Sequence, residues 1–232
     1  MNRIIKVGLA AVAIAAVSPA SADEEEGSVG WTPIALGIAS PVQLPWGLAR
    51  WDVFGLDLNL LYSDAPKMYG LGIGGLAMTT RDDMMGLQIG GLCNFSLRNT
   101  YGLRTTAGAN ICLGESYGVD IGLFGFRGEF WGVDIEGLGS LQDEIHGIQI
   151  GGLANVSREM SYGWTVAGLG NFAKKAYGCQ TALLFNATEE LHGAQIALVN
   201  YAQECPWGFQ IGLVNIIMDN KVKVLPIVNG YF

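Results

Sequence analysis

Apolar positions alternate with polar or small ones along most of this chain, with a period of two. Phe54, Leu56, Leu58, Leu60 and Tyr62 fall on one side of an extended backbone, and Gly55, Asp57, Asn59 and Leu61 on the other. Tyr117, Val119, Ile121 and Leu123 oppose Gly118, Asp120, Gly122 and Phe124 in the same way. Such alternation predicts β-strands with two unlike faces, and no apolar stripe at helical spacing competes with it. The pattern also repeats as a unit: an aromatic, Gly, apolar, polar, apolar and small residue, then a short apolar run and Asn. Trp207-Gly208-Phe209-Gln210-Ile211-Gly212-Leu213-Val214-Asn215 is one copy. The unit glycines stand at 55, 70, 86, 102, 118, 132, 147, 163, 178, 193 and 208, at intervals of 14 to 16 residues. Short polar turns such as Thr80-Arg81-Asp82-Asp83 and Thr188-Glu189-Glu190 separate the units. A repeat this regular decides the architecture before any single residue does.

Two architectures bury such strands. The first expectation is a closed antiparallel β-barrel of about 12–14 strands in an outer membrane, lipid-facing on its apolar side, with aromatic girdles at the interfaces. Closure would pair every backbone group, as a bilayer demands. The alternative is a β-solenoid of about 15-residue rungs, with the apolar side as its dry core. Uniformly short turns, one motif always in one direction, and a recurring Asn (94, 110, 155, 171, 186, 200, 215, 229) favour the solenoid. Rung geometry favours the barrel. A straight nine-residue strand spans about 30 Å, and the remaining residues could return only about 20 Å unless the strand bends at its second glycine.

Residues 1–22 read as a signal peptide: Arg3 and Lys6, an apolar Leu9–Val17, and Ala20-Ser21-Ala22 as a cleavage site. Residues 23–32 read as a flexible acidic N-terminus, and 33–232 as a single repeat-built β domain. Removal of the leader takes two cations and no acid, moving the net charge from −8 to about −10. That balance argues against nucleic acid, which needs clustered Lys and Arg. Cys93, Cys112, Cys179 and Cys205 are even in number and form no C-x-x-C pair, so disulfides and buried thiols both remain open. The 34 glycines do not follow Gly-X-Y order, which excludes collagen.

The G-[apolar]-Q-[IL]-[GA]-x-[apolar]-N units resemble those of bacterial exported surface-repeat proteins. So do the opening Trp51-Asp52-Val53-Phe54-Gly55-Leu56-Asp57-Leu58-Asn59-Leu60-Leu61-Tyr62 and the closing Val224-Leu225-Pro226-Ile227-Val228-Asn229. The resemblance covers nearly all of the chain beyond the leader. It implies export and surface display and no particular chemistry.

The polar slot of the unit holds Asp57, Gln88, Arg104, Asp120, Asp134, Gln149, Thr165, Gln180, Gln195 and Gln210, the expected lining of a barrel lumen. Asp120 and Asp134 share the slot in adjacent units, with Glu136 beside them. Paired carboxyls can do acid–base work, but inward acids beside Arg104 are better read as ion-paired lining. His146 and His192 occupy the aromatic slot and read as aromatic substitutes, since neither H-x-x-H nor H-E-x-x-H occurs. No nucleophile elbow or phosphate loop stands in a suitable context, so no enzyme activity, metal or cofactor is expected. The function expected is that of an outer-membrane or cell-surface repeat protein in contact with membrane lipid, structural or weakly pore-forming. The alternative is a secreted or surface-held binding or adhesion module.

Overall fold

The computed structural model describes residues 28–40, 42–47 and 50–231; the leader and the acidic run Asp23–Glu26 lie outside the described residues. The expected antiparallel barrel does not form. The strands wind instead as a mostly parallel β-solenoid of about ten turns. Equivalent residues of successive units lie side by side in register: Gly163 stands between Gly147 and Gly178, and Thr165 between Gln149 and Gln180. Each position of the unit is thereby drawn out into a column along the axis.

The barrel expectation fails because the rung bends. The chain turns at the second small residue of the unit, as at Gly91-Leu92, Gly152-Leu153 and Gly168-Leu169. An outgoing strand such as Met84–Gly90 is answered by a short returning one, Cys93–Ser96. Two short strands close a rung that one straight strand could not. From Ala109 to Gly151 the extended path runs on through several rungs.

The solenoid expectation had the rung right and its faces reversed. All ten polar-slot residues are buried, and Gln88, Gln149, Gln195 and Gln210 are 0% exposed. The apolar partners point outward: Ile121, Ile148, Phe209 and Ile211 are all exposed. The two strands of a rung enclose a narrow space. Gln or Asp enters it from one strand, and Asn with Ser, Thr, Ala or Cys from the other. Buried polar groups are costly unless hydrogen-bonded, and the rung spacing supplies partners to most of them. Gln195 donates to Gln180, and Gln210 to Gln195, each at 2.8 Å. Asn155, Asn171, Asn186, Asn200 and Asn215 form a second run, each Nδ2 donating to the next Oδ1 at 2.9–3.0 Å. The same Nδ2 atoms donate to carbonyls of the following outgoing strand, as from Asn186 to Ile196 at 3.1 Å. The Asn column thus ties the two strands of the solenoid together. A small apolar column, including Met68, Met84, Ile145 and Leu191, fills the interior beside the polar turns.

The unit glycine is required by close approach. At Gly163 φ is +122°, and a Cβ would collide with the carbonyl oxygen of Gly147. The same holds down the column from Gly70 to Gly208. The ends are closed by antiparallel strands: Val42–Leu44 folds back on Gly30–Ala39, and Val224–Gly230 covers Val199–Ile217. In the latter, Pro226 has no N–H and Ile227 sits at φ 68°, features that discourage further strand addition.

Replacing Gly163 by Ala combines backbone strain with a steric clash, and should destabilise the fold by about 3 kcal/mol or more. Asn186→Ala, which removes a donor to Asn200, Gln180 and Ile196, should cost about 1–3 kcal/mol. Urea titrations followed by β-sheet circular dichroism measure both.

Candidate functional site

The polar interior is uniform except in its middle. There the interval between Gly118 and Gly132 is 14 residues, and Gly125 and Ser140 stand in the Asn column. The space is taken by Arg127, whose guanidinium occupies the volume that a side chain at Gly125 would need. Arg127 reaches Asp120 (2.6 Å), Asp134 (3.0 Å) and Glu136 (2.6 Å), and lies 4.9 Å from the centre of the Phe130 ring. Arg104 pairs with Asp120 through both carboxylate oxygens and donates to Ser116 at 3.1 Å. Two guanidiniums and three carboxyls are therefore sealed inside the solenoid. Gln88 pays for the irregularity beside it: Gly72 fills the slot in one neighbouring rung, Arg104 turns to Asp120 in the other, and the Gln88 amide has no hydrogen-bond partner.

Burial works against ionisation of every carboxyl here. At Asp120 the two guanidiniums overcome it and hold the group below its usual range. At Glu136 burial dominates over Arg127, and the pKa is pushed up to about 8. Asp134 is raised for the same reason, with Arg127 and Ser140 opposing. Glu136 therefore keeps its proton at neutral pH, while Asp120 stays ionised between the two guanidiniums. Apart from this cluster, the buried Asp57 carboxyl accepts hydrogen bonds from Asn59 and Ser63 and is pushed by burial up to about 6. Neither group opens to solvent. Among the described residues, no three His, Cys, Asp or Glu side chains converge on a metal position.

The exterior divides into a charged edge, a leucine edge and two apolar faces between them. Outside the interior, every Asp, Glu, Lys and Arg from 60 to 219 falls in the polar turns, which stack along one edge. Arg81–Asp64, Arg98–Asp82, Arg158–Asp143, Lys174–Glu159 and Lys175–Glu190 pair there from rung to rung. A shallow groove of about 440 Å³ lies on this edge among Glu115, Glu129, Asp143 and Arg158. The opposite edge is leucine: Leu76, Leu92, Leu153, Leu169, Leu184, Leu198 and Leu213 are exposed, Leu213 at 68%. Between the edges lie two apolar sheet faces. On one, apolar columns run through Leu71, Leu87, Leu103 and Val119 and through Ile121, Ile135 and Ile150. On the other stand Phe95, Ile111, Val156, Phe172 and Tyr201.

An aromatic column borders the charged edge. Tyr101, Tyr117, Trp131, His146, Tyr162, Tyr177, His192 and Trp207 follow one another at centroid distances of 3.8–6.3 Å. Both histidines belong to it. His192 Nε2 lies 2.6 Å from Glu190, and His146 Nε2 lies 3.5 Å from Glu144. All four cysteines are free, with Cys112 and Cys205 buried.

No family model, curated protein or solved structure matches this chain.

The ten slot residues do share one column, as their spacing required, but they line no lumen: they are the core. Pairing of Arg104 with the inward acids was legible from the shared slot. Arg127 was not, because it lies in the returning strand; the shortened unit and the missing Asn were its only signals. The single charged edge is not legible in the sequence either. Its residues read as separate turns, and only the winding gathers them.

Glu136 holds a proton when folded that the unfolded chain releases, so its contribution to stability is full below about 4.5 and is lost as pH rises toward 8. Glu136→Gln should melt close to the parent at pH 5 and above it at pH 9, as thermal denaturation would record. Arg127→Met leaves two buried acids without their cation and should cost about 3–5 kcal/mol.

Proposed function

We propose that this protein is an exported, envelope-surface β-solenoid of the surface-repeat kind, a non-enzymatic structural or binding module whose apolar exterior is its working surface. One observation carries this reading: the large apolar side chains are outside and the hydrogen-bonding ones inside. Monomeric soluble proteins rarely expose an apolar patch of more than a few hundred Å². Here the glycine column has ten steps between its ends, which at about 4.8 Å each makes a face about 48 Å long. Its height from aromatic column to leucine edge is about 20 Å, so a single face presents roughly 1,000 Å² in outline.

Two further features support a surface role over chemistry. The buried carboxyls are closed to any substrate, and the exposed charges are largely paired along their edge. The leader-like segment and the acidic balance fit export.

Fractionation of cells expressing the whole chain tests this. The protein should collect with the envelope, resist high-salt washing and come away in mild detergent; release into the medium as a soluble monomer would overturn the reading. Ile121→Arg places a charge on the exterior, so it should leave the melting temperature nearly unchanged while weakening envelope retention.

A further inference from the structure

We infer that the occupant of the apolar exterior is a lipid bilayer, entered edge-on to about its midplane, with the solenoid axis lying in the membrane plane and the charged edge left in water. The inference rests on the reading of the exterior as the working surface and names its partner. A second copy of the chain would cover one face. Here both faces and the leucine edge between them are apolar, and a surrounding fluid covers all three at once.

The order of side chains across the solenoid matches the order of zones across half a membrane. Charged residues and their rung-to-rung ion pairs come first. Next comes the column of Tyr, Trp and His, the residue types that favour the headgroup level. Aliphatic columns follow, and leucines form the far edge. Trp207 to Leu213 is one outgoing strand with its bend, about 20 Å at the usual rise. A bilayer with its headgroups is about 40–45 Å thick, so aromatics at one surface put the leucines near the middle.

The backbone also suits lipid, where an unpaired N–H or C=O is costly. Along the leucine edge the amides bond from rung to rung even through the bend: Leu92 to Leu76 at 2.6 Å, Leu153 to Leu138 at 2.8 Å, Leu169 to Leu153 at 2.7 Å. Within the wound part, the Asn and Gln side chains that lipid would reject are turned into the interior, where most of them bond to one another, and the outward polar groups of the outgoing strand are threonines such as Thr181, which accepts from Trp164.

Spin labels on the exported chain test this in vesicles of phosphatidylethanolamine and phosphatidylglycerol. Leu169→Cys, Tyr162→Cys and Gln203→Cys are made with Cys93 and Cys179 replaced by Ser, and label depth is read from collision with oxygen against an aqueous nickel complex. The expected result is the label at 169 deepest, 162 at headgroup level and 203 in water. Equal depths, or all three labels in water with the protein bound, would overturn the inference. Leu169→Arg should weaken vesicle binding at least tenfold with circular dichroism unchanged; unaltered binding would also overturn it. If vesicles are not bound but labels at 169 on separate chains lie close together in buffer, the lipid inference falls and the working-surface reading survives. A monomer in plain buffer that binds no vesicles removes both.

Discussion

Hydrogen bonding between identical amide side chains in consecutive rungs is the interaction on which this molecule depends. Parallel, in-register strands repeat at about 4.8 Å, a spacing at which an amide at one position can donate to the same amide in the next rung. Gln180, Gln195 and Gln210 do this on the outgoing strand, and Asn155 to Asn215 on the returning one. The interior is thereby polar and largely cross-linked from rung to rung, with Gln88 and Gln142 left without partners, and it stays narrow. Gly and Ala fill the positions beside the amides, and bulky aliphatics find room mainly beside the charged turns. The glycine column has the same origin: rungs approach so closely that a Cβ there would meet the carbonyl of the preceding rung.

The charged centre is a variation on this rule. Where Asn gives way to Gly125 and Ser140, the bonding capacity of the lost amides is replaced by guanidiniums and carboxyls. A buried ion cluster is weak evidence for stability, since desolvation of its members offsets their attraction. What it does here is geometric. Arg127 bonds to Asp120 in its own rung and to Asp134 and Glu136 in the next, so a rung one or two residues short still stays in register with its neighbours.

A polar interior pushes the apolar half of the pattern outward. The result is a prism with one wet edge and three greasy sides, and its surface is ordered from charge through aromatic to leucine. The order follows from the winding: every rung begins and ends its unit at the same place, so each residue class is projected into a stripe. The stripes give the exterior a direction, and the lipid reading depends on that direction more than on total apolarity.

The residues alone determined the period, the two-sided strand and the membership of each column, because a repeat of 14 to 16 residues leaves little freedom in which positions align. The shared slot of Arg104, Asp120 and Asp134 was legible on that ground. Which side of the strand lies inside was not. Alternation of period two carries no sign, so an apolar row looks the same whether it meets lipid or a dry core. The direction of neighbouring strands was equally hidden, since it turns on whether the backbone bends at Gly91, Gly152 and Gly168. Tertiary structure decided both through one fact: the bent rungs enclose a space where amides reach their equivalents above and below, and which has room for only a few large apolar side chains such as Met78.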